Sequence, residues 1–176
     1  MSGITWFWPG VAIVLVISWV LAPPVARILR IDRRLAWLLV FSIGLVLAVE
    51  ATPLRAPFGI DISAQRPCDL GRRWFATVPE IMAMGDVALD IALYVPAGVA
   101  IALLPMSRRS AVLIAGVVAL PALIEAVQLV IPALARGCQS GDAIDGLTGL
   151  GVGLGLGLVV RLVRLAVVGG GSSAPR

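Results

Sequence analysis

The chain has 176 residues, 60% of them hydrophobic, and a mean hydropathy of +1.03, which is too apolar for an ordinary soluble domain and indicates an integral membrane protein. The net charge of +4 comes only from arginines at the ends of apolar segments, since there is no lysine, so we expect no nucleic-acid binding. The absence of histidine excludes Ser/His and Cys/His catalysis and His-ligated metals, and we expect neither a metal nor a cofactor.

Five apolar segments approach the length of about 20 residues that a helix needs to cross a lipid bilayer. They predict an all-α fold, an integral membrane bundle of five transmembrane helices: Pro9–Ile28, Leu35–Thr52, Val87–Leu104, Ala111–Leu134 and Ala143–Leu165. We divide the chain into two N-terminal transmembrane helices (1–52), an outer loop (53–84), a three-helix region (85–165) and a flexible tail (166–176).

Prolines predict where two of these helices are interrupted. Pro23 and Pro24 should bend or end the first helix, and Pro121 should kink the fourth. The residues before Pro9 lack the positive region of a cleavable signal peptide, so we expect the first helix to remain in the mature protein.

The arginines also predict the orientation of the bundle in the cell membrane. The first and third connections and the C-terminal end have the larger excess of positive charge, whereas the fourth connection is net negative. This pattern places the N-terminus outside and the C-terminus in the cytoplasm, with the second and fourth connections outside. The arginines of the second connection do not fit this orientation, but they have a weaker effect because that connection is long.

Two features of the predicted outer connections concern their structure. Cys68 and Cys138 fall one in each connection, and an oxidising exterior permits a disulfide between them. We expect this disulfide; the alternative is two unrelated buried thiols.

The segment Arg72–Met84 mixes aromatic, charged and methionine side chains, so it is either a short amphipathic helix in the membrane interface or an ordered loop that caps the bundle.

Polar residues inside the third and fourth spans predict a functional site, because a bilayer penalises an ionisable side chain at helix centre by roughly 2.5–3.5 kcal/mol. Asp86 and Asp90 share one face of the third span, although Asp86 alone fits an N-terminal cap. Glu125 and Gln128 share a face of the fourth span, about 14 Å below its outer end. The alternative for Glu125 is a protonated side chain bonded to a neighbouring helix.

The fourth connection adds Arg136, Asp142 and Asp145 at the same level. Asp142 also fits a structural role at the positive end of the helix dipole, and Arg136 is placed to neutralise one carboxylate. Glu50 either joins this cluster or lies at the headgroup level. We predict one inward-facing polar site in the outer third of the membrane, made of these residues: Asp86, Asp90, Glu125, Gln128, Arg136, Asp142 and Asp145.

Glycines in the last span follow a packing pattern and not a dinucleotide-binding pattern, because they lie inside an apolar helix. Gly149, Gly153 and Gly157 form one ridge of small residues, and Gly151 and Gly155 form a second. The last helix should therefore let two neighbouring helices approach closely.

Three blocks of the chain resemble the VanZ-like family of bacterial membrane proteins. GDVALDIALYVPAG matches at Asp86 and has Asp90 where the family has Asn; ALIEAVQ matches at Glu125 and Gln128. ARGCQSGDAIDGLTGLGVG keeps the spacing of Arg136, Asp142 and Gly149, with Gln139 in place of an Asp and Asp145 in place of an Asn. The resemblance implies a bacterial cell-envelope protein, and the family's namesake is associated with low-level resistance to teicoplanin-type glycopeptides.

Three hypotheses for function remain from the sequence. The acidic site binds an amine-bearing or sugar headgroup, either an envelope component or a glycopeptide. Alternatively, the chain is an accessory or scaffold subunit whose glycine ridges dock a membrane-protein partner. In the third hypothesis, paired carboxylates act as acid and base, or hold a hard cation, in a membrane enzyme.

Overall fold

A computed structural model of the chain describes residues 7–50, 68–83, 85–131 and 137–170. Within these ranges every regular element is a helix, and we number the helices in chain order: α1 (Phe7–Leu29), α2 (Arg33–Glu50), α3 (Val78–Ala83), α4 (Gly85–Ala102), α5 (Arg108–Val130) and α6 (Ser140–Gly170). The only β-type pairing in the described residues is an isolated parallel bridge between Asp69 and Gln139.

Four of the described helices, α1, α4, α5 and α6, are long and apolar enough to cross a membrane. The prediction of an all-helical membrane protein is thereby supported. The fifth predicted span is a helix, α2, but it is not confirmed as a span, because it carries Arg33 and Arg34 at its start and Glu50 at its end within only 18 residues.

Two helices extend further than the sequence indicated. Pro23 and Pro24 lie inside α1 and do not end it, because each proline removes only one backbone hydrogen bond and the turns on both sides continue the helix. The helix ends at Leu29; the next residue, Arg30, has a φ of 56° in the left-handed region, and the amide of Ile31 donates to the carbonyl of Ala26. At the other end of the chain, α6 continues to Gly170, so residues 166–170 are helical and not part of a flexible tail.

The closest helix packing joins α4 to α6, through the first predicted glycine ridge. A Cβ at Gly149 would clash with the carbonyl oxygen of Ile91, and a Cβ at Gly153 would clash with the carbonyl oxygen of Val95 and lie 2.9 Å from the Cα of Gly98. Backbone thus meets backbone, as small residues in membrane helices allow. The second ridge differs: at Gly151 and Gly155 an added Cβ would meet nothing within 4 Å.

The helices alternate in direction, so the bundle has two chemically different ends. At one end, the guanidinium of Arg109 at the start of α5 donates to the carbonyl of Ile28 in the last turn of α1 (2.7 Å). At the other end, the side-chain amide of Gln128 near the end of α5 donates to the carbonyl of Glu50 at the end of α2 (3.2 Å). We call these the arginine end and the acidic end.

We expect Gly153→Ala to lower the free energy of unfolding by about 1–3 kcal/mol, because the new methyl group has only backbone atoms to displace. Gly155→Ala is the matched control: the same change, half a turn further along α6, points into open space, and alanine is the better helix former by about 1 kcal/mol. Denaturant titration of both variants in detergent micelles measures the difference. Equal stability of the two variants would contradict the observed packing.

Candidate functional site

The acidic end brings together polar side chains from four helices. Asp90 of α4 lies within electrostatic range of Glu50, Asp142 and Asp145. Tyr94 lies one turn further along α4 and is 3% exposed. Its hydroxyl lies within electrostatic range of four carboxylates: Glu50, Glu125, Asp90 and Asp142. We call this group, together with Gln128 and the guanidinium of Arg72, the acidic site.

Asp145 is the most deeply buried carboxylate of the site, at 1% exposure, and it is paired. Both of its oxygens accept from Arg72, at 2.7 Å from Nη1 and 2.5 Å from Nη2. This geometry is the two-pronged guanidinium–carboxylate pair, in which each partner replaces water lost by the other. The hydrogen bonds to Asp145 raise the pKa of Arg72 above its ordinary value, so the guanidinium stays charged.

Arg72 lies outside the described helices, and it also contacts the first two residues of α6. Its carbonyl accepts from the hydroxyl of Ser140 (2.5 Å). Its side chain passes over Gly141, where a Cβ would lie 3.4 Å from the Arg72 Cδ. A Cβ at position 141 would therefore lie in ordinary van der Waals contact with this side chain.

A disulfide and a short bridge fix the loop that carries Arg72. Cys68 and Cys138 form the predicted disulfide, with their Cα atoms 4.7 Å apart. Beside it, the amide of Asp69 donates to the carbonyl of Cys138, and the amide of Ser140 donates to the carbonyl of Asp69, both at 2.9 Å. The two predicted outer connections are thus joined to each other beside the start of α6.

Glu125 is buried at 7% exposure, and its Oε2 accepts from the amide of Gln139 at 2.7 Å. The loop before α6 therefore reaches down to Glu125. Its depth is smaller than the sequence indicated: α5 ends at Val130, five residues on, so Glu125 lies about 8 Å from the end of the helix.

The structure also decides the place of Glu50 and Asp86. Glu50 is 7% exposed, and its carbonyl accepts from Gln128, so it joins the cluster. Asp86 is exposed in the first turn of α4 and lies at the rim of the site. Arg136 lies outside the described residues. In the part of the chain that the structure describes, no group of three or more acidic or cysteine side chains is arranged to hold a metal ion.

Sequence reasoning missed two members of the site, Arg72 and Tyr94. The predicted disulfide could have indicated the position of Arg72. If Cys68 is bonded to Cys138, a residue four positions after Cys68 must lie close to the start of α6. The signal for Tyr94 was its spacing, because it follows Asp90 by one helical turn and so shares its face.

Comparison with known proteins adds nothing to this geometry: no protein-family model matches the chain, and no curated protein and no solved structure matches it.

We expect Arg72→Ala to destabilise the protein by about 3 kcal/mol or more, because it leaves the carboxylate of Asp145 buried without a cation. The neighbouring Arg73 is exposed, and its one hydrogen bond to the described residues goes to the Leu70 carbonyl at 3.4 Å. Arg73→Ala should therefore cost no more than about 0.5 kcal/mol. Thermal unfolding in detergent measures both effects.

The pair itself is tested by adding Asp145→Asn to Arg72→Ala. The double variant should lose less stability than the sum of the two single variants, because each single change leaves one partner of the pair alone. Additive losses would show that Arg72 stabilises the loop by some other route.

Proposed function

We propose that the chain is a VanZ-like membrane protein of the bacterial cell envelope, and that its acidic site binds an amine-bearing envelope component or glycopeptide antibiotic from the outer leaflet. The three sequence blocks that resemble this family contribute Asp90, Glu125, Gln128 and Asp145, and all four belong to the acidic site. The proposal does not require a catalytic step.

The observation that supports binding is the state of Asp90. Glu125 accepts a backbone amide and Asp145 is neutralised by Arg72, whereas the half-buried Asp90 carboxylate accepts no hydrogen bond from the described residues. Its charged neighbours within α4 and α6 are carboxylates. A carboxylate in this setting favours a cation, and a primary amine supplies both a positive charge and hydrogen-bond donors.

The proposed topology has five spans, with α2 as the fifth. Its 18 residues form a helix about 27 Å long, which matches a hydrocarbon core of about 30 Å, and its three charges lie at its two ends. The arginines of the first and third connections lie at the arginine end, which favours a cytoplasmic position for that end and for the C-terminus. The disulfide at the acidic end fits an oxidising exterior, with the N-terminus on the same side.

A second candidate function, an accessory subunit of a membrane complex, is favoured by one observation. Gly151 and Gly155 form a ridge of small residues on α6 with open space in front of it. A helix of a partner protein would approach such a ridge as closely as α4 approaches the other side of α6.

The binding proposal predicts that Asp90→Asn weakens binding of a teicoplanin-type glycopeptide about tenfold or more, because a hydrogen bond to a charged group contributes about 1.5–3 kcal/mol. Asp86→Asn removes the same charge at the exposed rim and should change affinity only slightly. Calorimetric titration of the protein in lipid nanodiscs measures both dissociation constants, with phosphatidylethanolamine in the nanodiscs as a competing amine. Equal affinities of the two variants would remove Asp90 from the binding site.

We expect Glu125→Gln to abolish glycopeptide resistance in a susceptible bacterial host that expresses the chain, without unfolding the protein. The amide oxygen of glutamine can still accept from Gln139, so the loop keeps its hydrogen bond while the site loses a charge. Growth at graded antibiotic concentrations is the readout, and the membrane level of the variant is the control. If resistance persists and a stoichiometric membrane protein co-purifies with both forms, the accessory role replaces the binding proposal.

A further inference from the structure

The loop that carries Arg72 also carries a strip of exposed apolar side chains. Trp74, Phe75, Val78 and Met82 are between 63% and 84% exposed, and α3, to which the last two belong, has no buried residue. We call the segment from Trp74 to Met82 the exposed strip. Water-exposed tryptophan, phenylalanine and methionine in such density normally mark a surface that something covers.

The level of the exposed strip along the bundle is fixed by its connections. At one side, α3 ends at Ala83 and α4 begins at Gly85. At the other side, Arg72 is bonded to Asp145 and Ser140 in the first turns of α6. Because α4 has only 18 residues, about 27 Å, it needs its whole length to cross the hydrocarbon core, so its first residue lies at the membrane boundary. The exposed strip therefore lies at that boundary too.

The helix within the strip, α3, has a capped N-terminus and is amphipathic. The backbone amide and the hydroxyl of Thr77 both donate to Oε2 of Glu80, at 2.7 Å and 2.8 Å, which closes the N-terminus of α3 and lowers the pKa of the Glu80 carboxyl below its ordinary value. Val78 and Met82, one turn apart, share a face, and the ionised Glu80 points to the other side. This arrangement is typical of a helix that lies in a membrane interface.

We propose that the exposed strip is an interfacial anchor, whose aromatic and aliphatic side chains insert between the headgroups and acyl chains of the leaflet at the acidic end. The position of the strip favours a lipid surface over a protein partner. The strip precedes α4, a candidate membrane-spanning helix, and lies at the depth where tryptophan and other aromatic side chains are enriched in membrane proteins. The exposed guanidinium of Arg73, beside Trp74, fits the phosphate level of the same leaflet. The inference is independent of which ligand the acidic site binds and of which side of the membrane the acidic end faces.

The test follows the fluorescence of Trp74, taken as the difference between the native protein and Trp74→Phe in lipid nanodiscs. Lipids brominated at shallow (6,7) or deep (11,12) acyl positions serve as quenchers. We expect the shallow bromines to quench the difference signal at least about twofold more than the deep ones, because an interfacial helix lies about 5–10 Å into the headgroup–acyl boundary. Iodide in the water should quench it weakly.

The deep control is a tryptophan introduced by Val118→Trp, since Val118 is exposed near the middle of α5. The signal that this replacement adds should be quenched more by the deep bromines. Both replacements are at exposed positions, and unchanged thermal unfolding checks that the fold is kept.

Two results would overturn the anchor. Strong iodide quenching of Trp74 with no effect of either bromolipid would place the strip in water. Protection from iodide and bromolipid together, lost when each nanodisc holds one copy instead of two, would show that a second copy of the chain covers the strip.

Discussion

A carboxylate that is 1% exposed, as Asp145 is, loses its water on folding, and the loss costs several kcal/mol of free energy unless a cation and hydrogen-bond donors replace it. Arg72 supplies both, from a position 73 residues earlier in the chain. Such a long-range pair is possible only if the segment that carries Arg72 is held against the start of α6. The disulfide and the Asp69–Gln139 bridge hold that segment there. The geometry of the acidic end thus follows from the need to compensate one buried charge.

Packing in the middle of the bundle determines which other side chains reach the site. The glycine ridge of α6 brings its backbone against α4, and this close approach sets Asp90 within electrostatic range of Asp142 and Asp145. The same ridge continues toward the site at Gly146, where an added Cβ would lie 3.0 Å from both the Tyr94 ring and the Pro121 side chain. Glycines in this helix therefore do more than shorten the distance between helices, because they leave room for a polar aromatic side chain among carboxylates.

The sequence was sufficient for those features that depend on local composition or on a period along one helix. The apolar segments, the first glycine ridge and the shared faces of Glu125 with Gln128 follow from hydropathy and from 3.6 residues per turn. The disulfide followed from the arginine distribution, because charge asymmetry separates the two ends of the bundle. Local reasoning could not give the partner of Asp145. Nothing near Arg72 in the chain distinguishes it from Arg73, and only the fold shows which guanidinium is paired with the buried carboxylate and which is exposed.

The sequence left open whether Pro23 and Pro24 bend or end α1, and it placed Glu125 deeper than the structure does. A proline pair weakens a helix by a fixed local amount, but in a bilayer the alternative is unbonded backbone in hydrocarbon, and that alternative costs more, so α1 continues. At Glu125 the helix is shorter than its apolar run, and a loop amide from Gln139 occupies the space that hydropathy assigned to the helix. In both cases the membrane and the neighbouring chain decide where a helix ends, and neither appears in the residues of the helix itself.

The position of Arg72 connects the two proposals for this chain. It lies between the disulfide-bonded Cys68 and the exposed strip that begins at Trp74, so one short segment is tied covalently on one side and meets the membrane boundary on the other. If the strip is seated in the leaflet, the Arg72–Asp145 pair limits how far this segment can lift, since any movement away from α6 has to break two charge-assisted hydrogen bonds. Asp145 also lies within electrostatic range of Asp90. The seating of the strip and the geometry of the acidic site therefore depend on the same contact.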